Sequence, residues 1–181
     1  MKKHPCAVPL VHLLCFTFAC QDKAAIAELE KFRAQAKLEE QNKRLAYLEI
    51  EKLWNERQLD VADQVYAPNQ ILHFRGESFP FGPDEARNVV STWLKAFPDF
   101  IFQIEDIVAE GDKVSVRYVF TGTHQGEFLG TAPTGNKIRV SQMNTIRFAN
   151  GKMVEAWEDY DEYGMRKQLG MELKPIAAKK K

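Results

Sequence analysis

The 181-residue chain is 45% hydrophobic, which supports one modest buried core and hardly two. Twenty-five Lys and Arg balance 25 Asp and Glu, so the formal net charge is zero and no basic surface for nucleic acid is implied. Twelve Phe, five Tyr and three Trp make aromatic rings a major part of whatever interior forms.

Lys2 and Lys3 precede an apolar run, Ala7 to Ala19, interrupted by Pro9 and His12. That run is too short to span a membrane as a helix, and residues 1–19 read as an export signal. Cys6, Cys15 and Cys20 all fall within the first twenty residues, so the body of the chain holds neither a disulfide nor a thiol nucleophile. Ala19-Cys20 suggests a bacterial lipoprotein cleaved before Cys20, whose lipid would be the only membrane attachment and would hold the protein at the cell envelope. Thr17 and Ala19 also fit ordinary cleavage, which would release a soluble periplasmic or secreted product.

Residues 20–44 are rich in Ala, Glu, Lys and Gln and read as a charged helical spacer; Ile26, Leu29, Phe32 and Ala36 keep helical spacing too briefly for a coiled coil. The folded domain is expected over 45–175, followed by a basic tail at 176–181. Tyr47, Ile50, Trp54, Val61 and Val65 form a first helical layer, broken near Gln58 and ended by Ala67-Pro68-Asn69. Gly82-Pro83-Asp84-Glu85 starts a helix with the apolar stripe Ala86, Val89, Val90, Trp93, Leu94 and Phe97, stopped by Pro98.

The period then changes to two. Phe100–Ala109 and Val114–Thr123 flank Glu110-Gly111-Asp112-Lys113, while Ile138–Phe148 and Met153–Asp161 flank Asn150-Gly151, so two hairpins are predicted. A short helix over about 162–169 follows. Helices first and antiparallel strands after define an α+β domain. There is no internal repeat and no nucleotide-binding fingerprint.

The run from Thr121-Gly122-Thr123-His124 to Thr134-Gly135, with Ile146–Trp157 and Asp161–Gly170, resembles the signature of the SnoaL-like polyketide cyclase or ester cyclase family. The resemblance implies a cone-shaped α+β fold like that of nuclear transport factor two, a curved antiparallel sheet packed with N-terminal helices around one pocket. It further implies a homodimer formed through the outer sheet face, and an acid/base aspartate at Asp161 that works without metal or cofactor. His124 matches the strand-end motif, and His73 follows an early strand where family members often carry a histidine. The Met165-Arg166 pair departs from the usual apolar pair, and nothing points to polyketide substrates specifically.

Strand alternation extends the candidate set. Met153, Glu155, Trp157, Asp159 and Asp161 share one parity, an odd mixture for a plain core but a reasonable wall for a pocket that moves a proton. Asp161, His124, Trp157 and Glu155 are therefore expected to converge on one pocket, with Trp93 in its wall. Gln142 and Asn144 are amides on an apolar strand face that need partners, which a ligand or each other can supply. Asp161 has a competing role as cap of the last helix, and His73 and His124 as satisfied structural histidines. No His-x-x-x-His pair or two-His-and-carboxylate cluster exists, so no metal is expected. The sequence thus reads as an exported acid/base enzyme of cyclase, isomerase or hydrolase type, acting on a small carbonyl-containing or apolar molecule. A non-catalytic ligand-binding lipoprotein and a dimerising interaction module fit the same sequence.

Overall fold

In the computed structural model the described backbone runs from residue 11 to 171 and the described side chains from 23 to 171. The start of the expected signal, the Cys20 side chain and the basic tail lie outside the described residues. The chain divides into two compact units, Met1–Leu38 and Glu39–Lys181. Helix α1 is Val11–Leu48, whose Ala-, Glu- and Lys-rich stretch lacks glycine and proline from residue 10 onward. In the first unit Ile26, Leu29 and Phe32 are exposed. No described helix is long and apolar enough to cross a membrane.

In the second unit the helical backbone widens into a π-helical turn at Glu49–Asn55. Ala46, Ile50 and Leu53 recur at helical spacing and are buried. The expected break near Gln58 is present: Arg57 adopts a positive φ of 63°, and a short 3-10 turn, Leu59–Val61, leads into α2, Ala62–Val65.

Next comes a hairpin of β1, Tyr66–Phe74, and β2, Glu77–Pro80, whose bounds the sequence pattern did not give. Pro68 masks it, since proline argues against a strand; here it falls inside a register break between Tyr66 and Ile71, where no ladder bond is demanded. Helix α3, Pro83–Ala96, begins where Glu85 Oε2 accepts from the Gly82 backbone N–H at 2.9 Å. The remaining strands are β3, Ile101–Glu110, β4, Lys113–Thr123, β5, Lys137–Ala149, and β6, Lys152–Tyr160, and α4, Glu162–Gln168, closes the unit.

The six strands form a curved, unclosed sheet in the order β2-β1-β6-β5-β4-β3. This is the α+β arrangement of helices on a sheet that the sequence implied, with one exception to antiparallel pairing: β1 runs parallel to β6, its partner nearly at the other end of the domain. Asn150 and Gly151, at φ of 52° and 69°, make the tight turn between β5 and β6. The core lies between one sheet face and the helices, with Val90, Phe97, Phe120, Ile146, Met165 and Leu169 all nearly inaccessible.

Candidate functional site

The burial of β5 alternates strictly, and Val140, Gln142, Asn144 and Ile146 all face the core side. Pairing across the sheet sets Tyr118, Gln142 and Tyr160 in one row and Val116, Asn144 and Glu158 in the next. Above these rows is a cavity of about 240 Å³. Aromatic rings make most of its wall, among them Trp54, Phe74, Phe81, Trp93, Phe102 and Phe120. Its polar groups are Glu49, Tyr66, Tyr118, Gln142, Asn144, Glu158 and Tyr160.

Glu158 is the electrostatic centre. Burial in this aromatic surround disfavours its charged form, and the nearby Glu49 adds repulsion; together they raise its pKa from 4.5 to about 7 against hydrogen bonds from Gln142 and Asn144. Glu49 is buried beside Ile50 and is itself pushed up by desolvation, although Tyr66 donates to its Oε1 at 2.6 Å. Burial and the neighbouring carboxylates push the phenols of Tyr66 and Tyr118 well above their ordinary value, so both remain hydroxyl donors at neutral pH. Gln142 Nε2 donates to Asn144 Oδ1 at 3.1 Å, fixing the two amides against each other, and Asn144 also hydrogen-bonds Tyr118. The arrangement can take a proton at a carboxylate titrating near neutrality while phenol and amide donors stabilise developing negative charge on an oxygen.

The structure brings Trp93, Gln142 and Asn144 to this cavity. The expected convergence of Asp161, Trp157, Glu155 and His124 does not occur. Trp157 is 38% exposed on the other face of the sheet, stacked on His73 with ring centroids 5.0 Å apart. Beside it Glu155 accepts from His73 Nε2 at 2.9 Å and from Arg147 at 2.8 Å, contacts that hold its carboxyl below the usual range. His73 also meets Ser78 Oγ at 2.8 Å, so its ring is committed to outer-face bonds. Asp161 is exposed and caps α4, accepting from Gly164 N–H at 2.8 Å. His124 is fully buried against Phe97, where its Nδ1 accepts from the Thr134 backbone N–H at 3.2 Å, and it does not line the cavity.

A β-bulge is the physical reason. An ideal Asn150-Gly151 hairpin would place Trp157 opposite Asn144. Instead Phe148 pairs with Met153 but Arg147 pairs with Glu155, leaving Val154 as an extra residue. The one-residue slip sends Glu155, Trp157 and Asp159 outward and brings Ala156, Glu158 and Tyr160 inward. Nothing local in the sequence announces it. Glu49, also missed, did leave a signal: it interrupts the helically spaced apolar positions Ala46, Ile50 and Leu53. Among the described residues no three His, Cys, Asp or Glu side chains gather as they would around a metal.

Comparison with known proteins agrees with this fold. Over 82 residues the chain is 34% identical to aklanonic acid methyl ester cyclase AcmA of Streptomyces galilaeus, a match covering 43% of this chain and 56% of that protein. The chain thus spans about half the length of this curated relative. Among solved structures it is similar to AclR, a candidate hydroxylase from Streptomyces galilaeus, at 30% identity and a TM-score of 0.65, covering 73% of this chain and 97% of that one. It is also similar to IdmH, a candidate polyketide cyclase from Streptomyces antibioticus, at 29% identity and a TM-score of 0.64, covering 72% and 99%. The family model described as SnoaL-like polyketide cyclase matches residues 44–169, and over that span the chain belongs to the SnoaL-like polyketide cyclase family.

Proposed function

We propose that this protein is a cofactor-independent acid/base enzyme of cyclase type that acts on a small, largely apolar molecule bearing a carbonyl group. The observation that carries this reading is Glu158, a carboxyl titrating at about 7 inside an aromatic cavity, with amide and phenol donors beside it. The reaction names of the relatives differ, so they support the family more than the step. In the proposed step the Glu158 carboxylate takes a proton from the carbon next to the carbonyl, and the C–H electron pair becomes an enolate whose oxygen accepts from Tyr118 or Asn144. The enolate carbon then attacks a second carbonyl carbon; the new alkoxide takes the proton back from Glu158, and a ring closes with no net loss of atoms. A cavity of about 240 Å³ lies below the roughly 300–1,000 Å³ usual for drug-sized ligands, which favours a compact substrate.

The test is exchange of the acidic C–H for deuterium in a panel of apolar β-keto esters, followed by NMR in D2O. Glu158→Gln keeps the shape of the side chain and removes the base, so exchange should fall on the order of a hundredfold or more while ligand binding persists. Equal exchange by wild type and variant would overturn the assignment. Wild type that binds these esters but exchanges none would instead favour a ligand-binding protein. As part of the same reading the mature protein is exported and held at the cell envelope by a lipid on Cys20.

A further inference from the structure

Beside the main cavity is an annex of about 20 Å³, bounded by Gln70, Leu72, Ile146, Met153 and both carboxylates, Glu49 and Glu158. One water needs roughly 10–15 Å³ and two or more polar partners, so the annex has room for one and little else. Gln70 is 1% exposed, and its Oε1 meets no donor among the described residues. A buried amide oxygen in that position calls for a donor. Glu49 reaches the same place from the π-helical turn Glu49–Asn55, a local widening of the kind often found at functional sites.

We propose that Glu49 and Glu158 form a carboxyl pair that holds a single proton, joined through one internal water seated on Gln70 Oε1, with Glu49 as the acid that complements the Glu158 base. The groups around the pair favour this. Tyr66 on β1, Tyr118 on β4 and Tyr160 on β6 face the cavity as neutral phenols, and among the described residues no Lys or Arg lines either the cavity or the annex. Arg75, in the β1–β2 turn, reaches Tyr160 Oη at 3.4 Å, and Asp159 adds a further negative charge from β6. Two bare carboxylates in an apolar site without a cation repel each other, and keeping one proton between them relieves most of that cost.

The assignment of Glu49 as acid rests on the reading of Glu158 as base; the shared proton does not. In the arrangement with the shared proton passed through the water from Glu158 to Glu49, Glu158 takes the carbon-bound proton while Glu49 gives its proton to the carbonyl oxygen, yielding a neutral enol. When the enol carbon attacks the second carbonyl, the enol O–H returns its proton to Glu49 and Glu158 gives its proton to the new alkoxide, so the pair ends the cycle with the one proton and one negative charge it began with.

Infrared titration of the carboxyl C=O band of the full chain, with no substrate present, reads the pair directly. Wild type should show two separated steps, the later one near pH 7. Glu49→Gln should lower the Glu158 midpoint by about one unit or more. Tyr66→Phe leaves both carboxyls in place but removes a bond that favours ionised Glu49, so the earlier step should rise and the two steps should move closer together. A Glu158 midpoint unchanged in both variants overturns the pair. A crystal structure should show one water within hydrogen-bonding distance of Gln70 Oε1 and a carboxylate, lost in Gln70→Leu; an empty annex in wild type overturns the link. If the coupling appears and Glu158→Gln still exchanges substrate, the functional reading fails while the pair stands. If Glu158→Gln abolishes exchange without coupling, only the pair fails.

Discussion

Glu155 and Glu158 are the same residue type three positions apart, and the fold gives them opposite chemistry. Glu155 lies between His73 and Arg147 on the outer face and is held ionised. Glu158 faces an aromatic cavity and holds its proton to about pH 7. Stability follows from the sign of that shift. A carboxyl whose folded pKa is raised binds its proton more tightly in the native state, so its contribution is fully present below about 4.5 and is lost as pH rises through 7. Glu158→Gln should therefore melt higher than wild type at pH 8, by an amount on the order of 2–3 kcal/mol, with the gap closing toward pH 4.5. Thermal melts at a series of pH values check this; a variant less stable than wild type at pH 8 would show that the site does not strain the charged form. Gain of stability with loss of turnover is the behaviour expected of a strained catalytic group.

At the scale of elements, the β5–β6 hairpin and α4 show where reading by pattern worked and where it stopped. Both hairpin turns, the helix beginning at Pro83 and the terminal helix lie where their residues predicted, because capping, turn chemistry and period are local. The bulge at Val154 is not local: it appears when β6 is held between β1 and β5, and it decides which side chains reach the cavity. Asp161 belongs to α4 rather than to the cavity. A Cβ at residue 164 would stand 2.0 Å from Asp161 Oδ2, so a glycine in this short helix serves the cap that begins it. Asp161→Ala should cost about 1 kcal/mol by denaturant unfolding, Asp161→Asn much less, because Asn also caps. Both should keep near-wild-type exchange activity, and a hundredfold loss in Asp161→Asn would restore it to the catalytic step.

For the whole molecule, the N-terminal stretch raises a different question from the domain. In the second unit Glu39 accepts from the Gly111 backbone N–H at 2.8 Å and Asn42 donates to the Gly111 carbonyl at 3.4 Å, so the last turns of α1 are fastened to the β3–β4 turn. Export is tested upstream of that. If cleavage falls before Cys20, intact-mass analysis of the mature protein should show diacylglycerol on the new N-terminus, and Cys20→Ser should leave unlipidated material; a soluble wild type beginning at Cys20 with a free thiol would exclude the anchor. The family, the α+β order, the two late hairpins and the amides Gln142 and Asn144 were legible from residues alone, since local pattern and motif specify them. The cavity-facing carboxylates were not. Which parity of β6 turns inward depends on one bulged residue between two neighbouring strands, and the raised pKa of Glu158 depends first on burial in the aromatic cavity and then on Glu49, more than a hundred residues earlier in the chain, arriving at the same place. Desolvation and like-charge repulsion act through space, and only the folded arrangement brings those groups together.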